Sequence, residues 1–189
     1  MATLKTLPVL ALWLAAASRL GAADTALMNL LPPDAQVIFG VQVDQSRYSP
    51  FGRYLLARLE KADGDLKEFI ALTGFDPRRD ISEIVGAGRG DGKQGLVCVR
   101  GRFDVPKILA ALPRDAAAPG QYRGVTLVSG PGPKPAGVAF LDSSLAVAGE
   151  GELLRAAIDR WLDGGAFPAQ LAAQAAEASS RYDAWMVAA

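Results

Sequence analysis

The segment from Gly86 to Gly95 most resembles a site for chemistry, because its glycine spacing approaches that of phosphate-binding loops. In the frame of a magnesium-dependent phosphate loop, Ala87 replaces the first glycine and Gln94 replaces the hydroxyl residue. Gly90-x-Gly92-x-x-Gly95 matches the dinucleotide spacing, but the apolar run after it predicts a strand where that motif needs a helix. The segment is therefore predicted to be the turn of a β-hairpin, with Asp91-Gly92 as turn residues.

Carboxylates cluster at three places. Asp63-Gly-Asp65 and Asp76-Pro-Arg-Arg-Asp80 have oxygen ligands for a hard cation, but neither continues into the alternating acids and final glutamate of a calcium loop. Glu150 and Glu152 have the residue types of a two-carboxylate hydrolase. Each cluster also lies where a helix or turn is predicted to begin, so capping and helix-dipole roles are favoured for all three.

Nucleophilic chemistry is restricted by what the chain lacks. It contains no histidine and one cysteine, which excludes a Ser-His-Asp triad, a Cys-His pair and a histidine-bound metal within this chain. Ser143 and Ser144 with Lys107 or Lys134 would be a serine–lysine hydrolase, although no Ser-x-x-Lys pattern occurs. Cys98 lies in an apolar run typical of a buried strand, so we expect an inert packed thiol. The sequence thus predicts no catalytic, cofactor-binding or metal-binding residue.

Aromatic residues offer a different kind of site. Exposed aromatic side chains often line ligand-binding grooves. The candidates are Phe51, Tyr54, Tyr122, Trp161 and Trp185. Core packing is the favoured interpretation, and a groove that binds a small ligand is the alternative.

Residues 1–23 predict an export signal. Lys5 precedes an apolar run from Leu7 to Ala17, and the small residues Gly21-Ala22-Ala23 follow. The run has about 11 residues, whereas a membrane span needs roughly 20, so a cleavable signal is expected rather than a permanent span. Cleavage between Ala23 and Asp24 is favoured, with cleavage after Ser18 as the weaker alternative. The expected location is periplasmic or extracellular.

Removal of this signal leaves residues 24–189, which are predicted to form a single domain. They carry 18 basic and 20 acidic groups, because Lys5 and Arg19 are removed, so no nucleic-acid partner is predicted. Abundant alanine, and arginine in excess of lysine, are typical of a GC-rich bacterial genome. The apolar run Ala184 to Val187 predicts either a docked terminal strand or the N-terminal part of a longer protein.

Hydrophobic periodicity and turn residues predict the elements that position these groups. Strands are predicted at 35–43, 81–87, 95–100, 124–129, 137–141, 145–149 and 182–187. Helices are predicted from 50 to 73 with a break at 63–65, and at 103–112, 151–162 and 169–178; a turn is predicted at 76–80 and a linker at 114–120. Together they predict an α+β fold, a largely antiparallel sheet with helices packed on one face.

A weak strand-strand-helix repeat is also predicted. Val99-x-Gly101-x-x-Asp104-Val105 and Val147-x-Gly149-x-x-Glu152-Leu153 share one pattern before a helix. The glycine permits a tight exit from the strand, and the acid faces the helix N-terminus. Since such junctions also arise from local chemistry, duplication and coincidence both remain open.

Several structural motifs resemble a loose group of uncharacterised exported bacterial proteins. They are Leu30-Leu-Pro-Pro-Asp34, Thr73-Gly-Phe-Asp-Pro77, Ile81-Ser-Glu-Ile84 and Leu145-Ala-Val-Ala-Gly149. The resemblance spans residues 27–187 and implies secretion and an α+β repeat architecture, in proteins that usually run longer. It implies no activity, cofactor or functional residue.

The residues together favour a non-catalytic domain that binds another protein or a cell-envelope component. Two alternatives remain: a hydrolase that uses carboxylates or a serine–lysine pair, and a module that binds a small ligand.

Overall fold

A computed structural model describes residues 23–50, 52–54, 64–89, 95–112, 118–131 and 135–189. Most of the predicted signal, residues 55–63 of the first long helix and the tip of the glycine-rich hairpin lie outside the described residues. Gly64, within the predicted break at 63–65, begins a helix. The candidate residues Phe51, Asp63 and Lys134 lie outside them too.

Eight strands form one antiparallel sheet in the spatial order β4-β5-β6-β7-β3-β2-β1-β8. The strands are β1 (Val37–Gln42), β2 (Ile81–Gly88), β3 (Gly95–Gly101), β4 (Ala118–Tyr122), β5 (Val125–Ser129), β6 (Ala136–Phe140), β7 (Leu145–Glu150) and β8 (Ala184–Ala188). The described helices include α1 (Thr25–Met28), α2 (Val43–Ser46), α3 (Gly64–Thr73), α4 (Pro77–Asp80), α5 (Val105–Ala110), α6 (Gly151–Asp163) and α7 (Ala169–Arg181). This arrangement confirms the predicted α+β class and antiparallel sheet.

The main core lies on one face of the sheet. Val85, Cys98 and Val147 are register neighbours on β2, β3 and β7, and all are fully buried. Helix α6 covers them with Leu154, Ala157 and Ile158, whose spacing places them on one face of the helix. Helices α1 and α7 complete this layer, so the prediction of helices on one face holds for α6 and α7.

A second, smaller core lies on the opposite face, which the prediction of one helical layer did not include. Ala146 packs with Phe103 and with Ile108 of α5, and Phe69 of α3 packs against this cluster. Successive residues of a strand point to opposite faces, so Ala146 and Val147 face different layers. The physical reason is that Leu145, Ala146 and Val147 are all buried, as a strand covered on both sides requires.

The two junctions of the predicted repeat lead to opposite faces of the sheet. Helix α5 follows β3 onto the second core, whereas α6 follows β7 onto the main core. Strands β3 and β7 are antiparallel neighbours, so a symmetric duplication would relate them by a two-fold axis perpendicular to the sheet. Such an axis would place α5 and α6 on the same face, which is not what the structure has. Local junction chemistry, with Asp104 capping α5 and Glu152 in the first turn of α6, is therefore sufficient to explain the shared pattern.

Element boundaries differ from the predictions at three further places. Strand β4 lies largely within the predicted linker 114–120. It is an edge strand that pairs only with β5, and proline, which has no N–H to donate, is tolerated at such an edge. Val43 begins α2 instead of ending β1, and the predicted turn at Asp76–Asp80 contains the one-turn helix α4. Gly74 and Gly164 have φ angles of 71° and 84° and follow α3 and α6, as predicted for helix ends.

Candidate functional site

An apolar cavity of about 310 Å³ lies between the second face of the sheet and helices α3 and α5. All of its lining residues are apolar: Phe69, Phe75, Ile81, Val99, Phe103, Ile108, Leu112, Val128, Val138, Phe140, Ala146, Val147 and Ala148. The cavity is partly open to solvent, and its volume falls at the lower end of small-molecule pockets. The cavity is therefore the candidate binding site.

Four phenylalanine rings form one side of this cavity. The ring centroids of Phe69 and Phe75 are 6.4 Å apart, and those of Phe75 and Phe103 are 5.4 Å apart. Phe103 meets Phe140 at 5.7 Å with an interplanar angle of 63°. Such contacts stabilise a pair by about 0.5–1.5 kcal/mol beyond area burial, so the rings hold one another in place.

Hydrogen bonds of the main chain position Phe103. Beyond the end of β3, the Phe103 N–H donates to the carbonyl oxygen of Ser143 at 2.8 Å. Gly101 permits the close approach that this path needs, because a Cβ atom there would lie 2.6 Å from the carbonyl oxygen of Asp80. Asp104 then accepts a hydrogen bond from the Lys107 N–H at 3.3 Å and caps α5. The ring is thus held between the end of a strand and the start of a helix.

The turn after α3 positions Phe75. Gly74, with its φ of 71°, reverses the chain at the helix end. The Thr73 hydroxyl donates to the Phe69 carbonyl oxygen at 2.7 Å and accepts from the Phe75 N–H at 3.1 Å. This buried threonine connects the two rings through the backbone that carries them.

A wide charged cleft of about 1050 Å³ adjoins the cavity and shares Phe75, Phe103 and Phe140 with it. The cationic side chains of the cleft are already paired with carboxylates. Arg79 and Arg102 contact Asp80 at 2.7 and 3.0 Å, Lys107 contacts Asp104 at 2.9 Å, and Arg123 contacts Asp159 and Asp163 at 2.7 and 2.8 Å. The cleft therefore presents a mixed charge pattern beside the apolar cavity.

Asp80 is the buried charge of this cleft, with 7 % of its surface exposed. Two hydrogen bonds from Arg79 lower the pKa of this carboxyl to about 2, although burial alone would raise it. Asp80 also accepts from the Asp76 N–H at 2.8 Å, and Asp76 caps α4. The acids at 76–80 thus perform the predicted capping and turn roles, and the described part of the chain contains no group of three carboxylate or thiol side chains placed to hold a metal ion.

The candidate serine–lysine pair does not assemble among the described residues. Lys107 Nζ pairs with Asp104, and no hydrogen bond joins it to Ser143 or Ser144. The Ser144 hydroxyl donates to Asp142 Oδ1 at 2.8 Å, and the Ser144 N–H donates to the same oxygen. These contacts belong to the tight turn between β6 and β7.

The remaining polar candidates have structural positions. Glu150 immediately precedes α6 and Glu152 lies in its first turn, as predicted for carboxylates that face the helix dipole. Cys98 is fully buried, and this burial raises the pKa of its thiol to about 12. The prediction of a packed thiol in a buried strand is confirmed.

The four aromatic candidates that the structure describes do not line the cavity. Trp185 is buried in the main core, and the Tyr122 hydroxyl donates to Asp159 at 3.1 Å. Tyr54 is exposed, and Trp161 lines the charged cleft. The aromatic rings of the cavity are those of the four phenylalanines, which the sequence did not predict to lie together. Phe75, an apolar residue in a predicted turn, was a local indication of a buried site there.

The fold and site define an α+β domain with an eight-stranded antiparallel sheet and an apolar cavity under its smaller helical layer. No protein-family model and no curated protein matches the chain. Among solved structures, crystal form I of TP0453 aligns with a TM-score of 0.51 and 13% identity over 80% of this chain and 57% of that chain. Crystal forms III and IV of TP0453 align with TM-scores of 0.55 and 12% identity over 87% of this chain and 63% and 64% of theirs. The chain thus spans about three-fifths of the TP0453 chains, and at this identity the likeness shows a shared fold alone.

Helices among the described residues are all too short or too polar to cross a bilayer.

Proposed function

We propose that residues 24–189 form a non-catalytic, exported binding domain that takes an apolar group of a cell-envelope component into the phenylalanine-lined cavity. The observation that carries this proposal is a cavity of about 310 Å³ in which every lining residue is apolar. The cavity is partly open to solvent, so its apolar lining contacts water until an apolar group covers it, and covering apolar surface is favourable.

The lining determines the chemistry of the occupant. A charged or strongly polar group inside the cavity would lose its water without finding a hydrogen-bond partner, which costs several kcal/mol. A hydrocarbon chain or an aromatic ring has no such cost. Molecules of the envelope that carry hydrocarbon chains are therefore the class of ligand that this cavity suits.

A non-catalytic role is supported by how the reactive residues are used. Ser144 hydrogen-bonds within a turn, and Lys107 is paired with Asp104. Cys98 is fully buried, and its raised thiol pKa keeps it protonated. The polar groups next to the cavity therefore maintain the fold, which leaves binding as the chemistry that the apolar lining offers.

The proposal is tested by titrating the protein with N-phenylnaphthylamine, an uncharged probe that fluoresces when it enters an apolar site. Ala148→Leu adds a side chain that extends into the cavity, and Ala173→Leu adds the same atoms on the exposed face of α7 as a matched control. Wild type and Ala173→Leu are expected to bind the probe with the same Kd. Ala148→Leu is expected to bind it at least about tenfold more weakly, because the probe would bury less apolar surface, by roughly two methylene groups.

Unfolding midpoints are measured on the same samples. Ala148→Leu is expected to keep or raise the midpoint, since filling a cavity commonly stabilises a protein. Equal probe affinity in all three proteins, with Ala148→Leu folded, would show that the probe binds elsewhere and would refute the proposal.

A further inference from the structure

Asp24 lies at the centre of a small charged cluster. Its backbone N–H donates to Glu83 Oε1 at 3.2 Å, and its carboxylate accepts from Arg100 Nε at 3.0 Å. The same carboxylate accepts from the Ala26 N–H at 2.8 Å and caps α1. Glu83 and Arg100 are register partners on β2 and β3, so the sheet fixes both side chains next to Asp24.

The charges of this cluster do not balance. Asp24 and Glu83 bring two negative charges, and Arg100 brings one positive charge, which is engaged with Asp24. Glu83 is only 8 % exposed. It faces Arg100, whose guanidinium is engaged with Asp24, and it hydrogen-bonds with the Gln42 side chain. Burial is the largest effect on Glu83 and raises the pKa of its carboxyl, although Arg100 and Gln42 favour the charged form. One further positive charge beside Glu83 would neutralise the cluster.

The backbone nitrogen that points at Glu83 belongs to the residue that the sequence predicts to follow the cleaved signal. Hydrolysis of the Ala23–Asp24 peptide bond consumes one water molecule: the leaving segment ends in the Ala23 carboxylate, and Asp24 begins with an ammonium group. A protease of the export machinery cleaves such signals. The cut therefore converts a neutral N–H donor into a cation at the position where the cluster lacks one.

The chain on both sides of Asp24 keeps this nitrogen in place. Immediately after it, Leu27, Met28, Leu30 and Leu31 are at least 97 % buried in the main core. Before it, the Ala23 N–H donates to Ser179 Oγ at 2.8 Å. The cut removes the Ala23 hydrogen bond to Ser179, but the buried residues that follow Asp24 stay in the main core and keep the new ammonium group near Glu83.

We propose that cleavage between Ala23 and Asp24 gives the mature domain an α-ammonium group that forms an ion pair with Glu83. Removal of the export signal then has a second effect besides releasing the domain, because it supplies the positive charge that the cluster of Asp24, Glu83 and Arg100 lacks. This inference concerns the opposite core from the apolar cavity and does not depend on what the cavity binds.

The test uses the protein as a bacterial host exports it. Its mass is expected to correspond to a chain that begins at Asp24. Isotope-detected NMR then measures the pKa of the α-amino group, which is ordinarily about 7.7–8.0 and should be raised by about one unit by the carboxylate. In Glu83→Gln the value should return to the ordinary range.

A second variant addresses the case in which Glu83→Gln does not fold. A chain made to begin at Ala23 keeps Glu83 but moves the ammonium group by one residue, next to Ser179. Its α-amino pKa should be ordinary, and its unfolding midpoint should be lower than that of the chain that begins at Asp24. A mature terminus other than Asp24, or the same α-amino pKa in the chains that begin at Asp24 and Ala23, would overturn the inference.

The ion pair also predicts a pH dependence. An amino group whose pKa is raised in the folded state stabilises the fold below its unfolded pKa, and this contribution is lost as the pH rises through the folded pKa. The midpoint difference between the chains that begin at Asp24 and Ala23 should therefore be present at pH 7 and vanish above about pH 10. A difference that persists unchanged at high pH would contradict the ion pair.

Discussion

The indole ring of Trp185 lies directly over Gly40, so that a Cβ atom at Gly40 would be 2.4 Å from Trp185 Cζ2. The two residues are register partners on β8 and β1, and Trp185 is 7 % exposed. The absence of a side chain at Gly40 thus creates the space that lets the edge strand bury its tryptophan in the main core.

Gly40→Ala is expected to displace this ring and to lower the free energy of unfolding by about 1–3 kcal/mol, the usual cost of overpacking. Tryptophan fluorescence and urea unfolding measure the effect. Gly120→Ala is the matched control, because its added Cβ would have Leu127 Cδ1 at 3.8 Å as its nearest neighbour. If the two variants unfold at the same urea concentration, the close packing of Trp185 on Gly40 does not stabilise the sheet.

Asp80 is predicted to make the fold sensitive to acid. Its pKa of about 2 lies below the ordinary 3.8, so its contribution to stability is present above pH 4 and is lost as the pH falls towards 2. Asp80→Asn weakens four hydrogen bonds, from Asp76, Arg79 and Arg102, and should cost about 1–3 kcal/mol at pH 7.

Urea unfolding of wild type and Asp80→Asn at pH 7 and pH 2.5 checks this prediction. The difference in free energy of unfolding between the two proteins should be smaller at pH 2.5 than at pH 7. Asp44→Asn is the control, because Asp44 also pairs with an arginine but is 61 % exposed, and it should cost less than about 1 kcal/mol. A gap for Asp80→Asn that is the same at both pH values would exclude the charge of Asp80 as its source.

Much of the fold could be predicted because its signals are local. The alternation of apolar residues and the glycine-rich turn predicted the hairpin of β2 and β3, and Asp104 with Pro106 predicted the start of α5. Strand β4 was missed because Pro119 and Gly120 have little strand propensity, and only pairing with β5 holds them extended. The second helical layer was missed because a strand buried on both faces has a continuous apolar run. Such a run has no alternation to show which face a helix covers.

The candidate site could not be predicted, because its residues meet only through long-range pairing. Phe103 and Phe140 come together since β6 pairs with β7 and β7 pairs with β3. Nothing in the sequence near either residue indicates that strand order. Cys98 shows the contrast: its burial follows from its own apolar neighbours, so a local pattern was sufficient.

The most direct test of the central proposal locates a ligand in the cavity. Nuclear Overhauser effects are measured between dodecanol and the methyl groups of the protein. We expect contacts to Ile108, Val99 and Val138, which line the cavity, and none to Ile38 and Val85, which are fully buried in the main core. If dodecanol shows no contact with the cavity methyl groups, or contacts only methyl groups elsewhere, the proposal that this domain binds an apolar group in the cavity is contradicted.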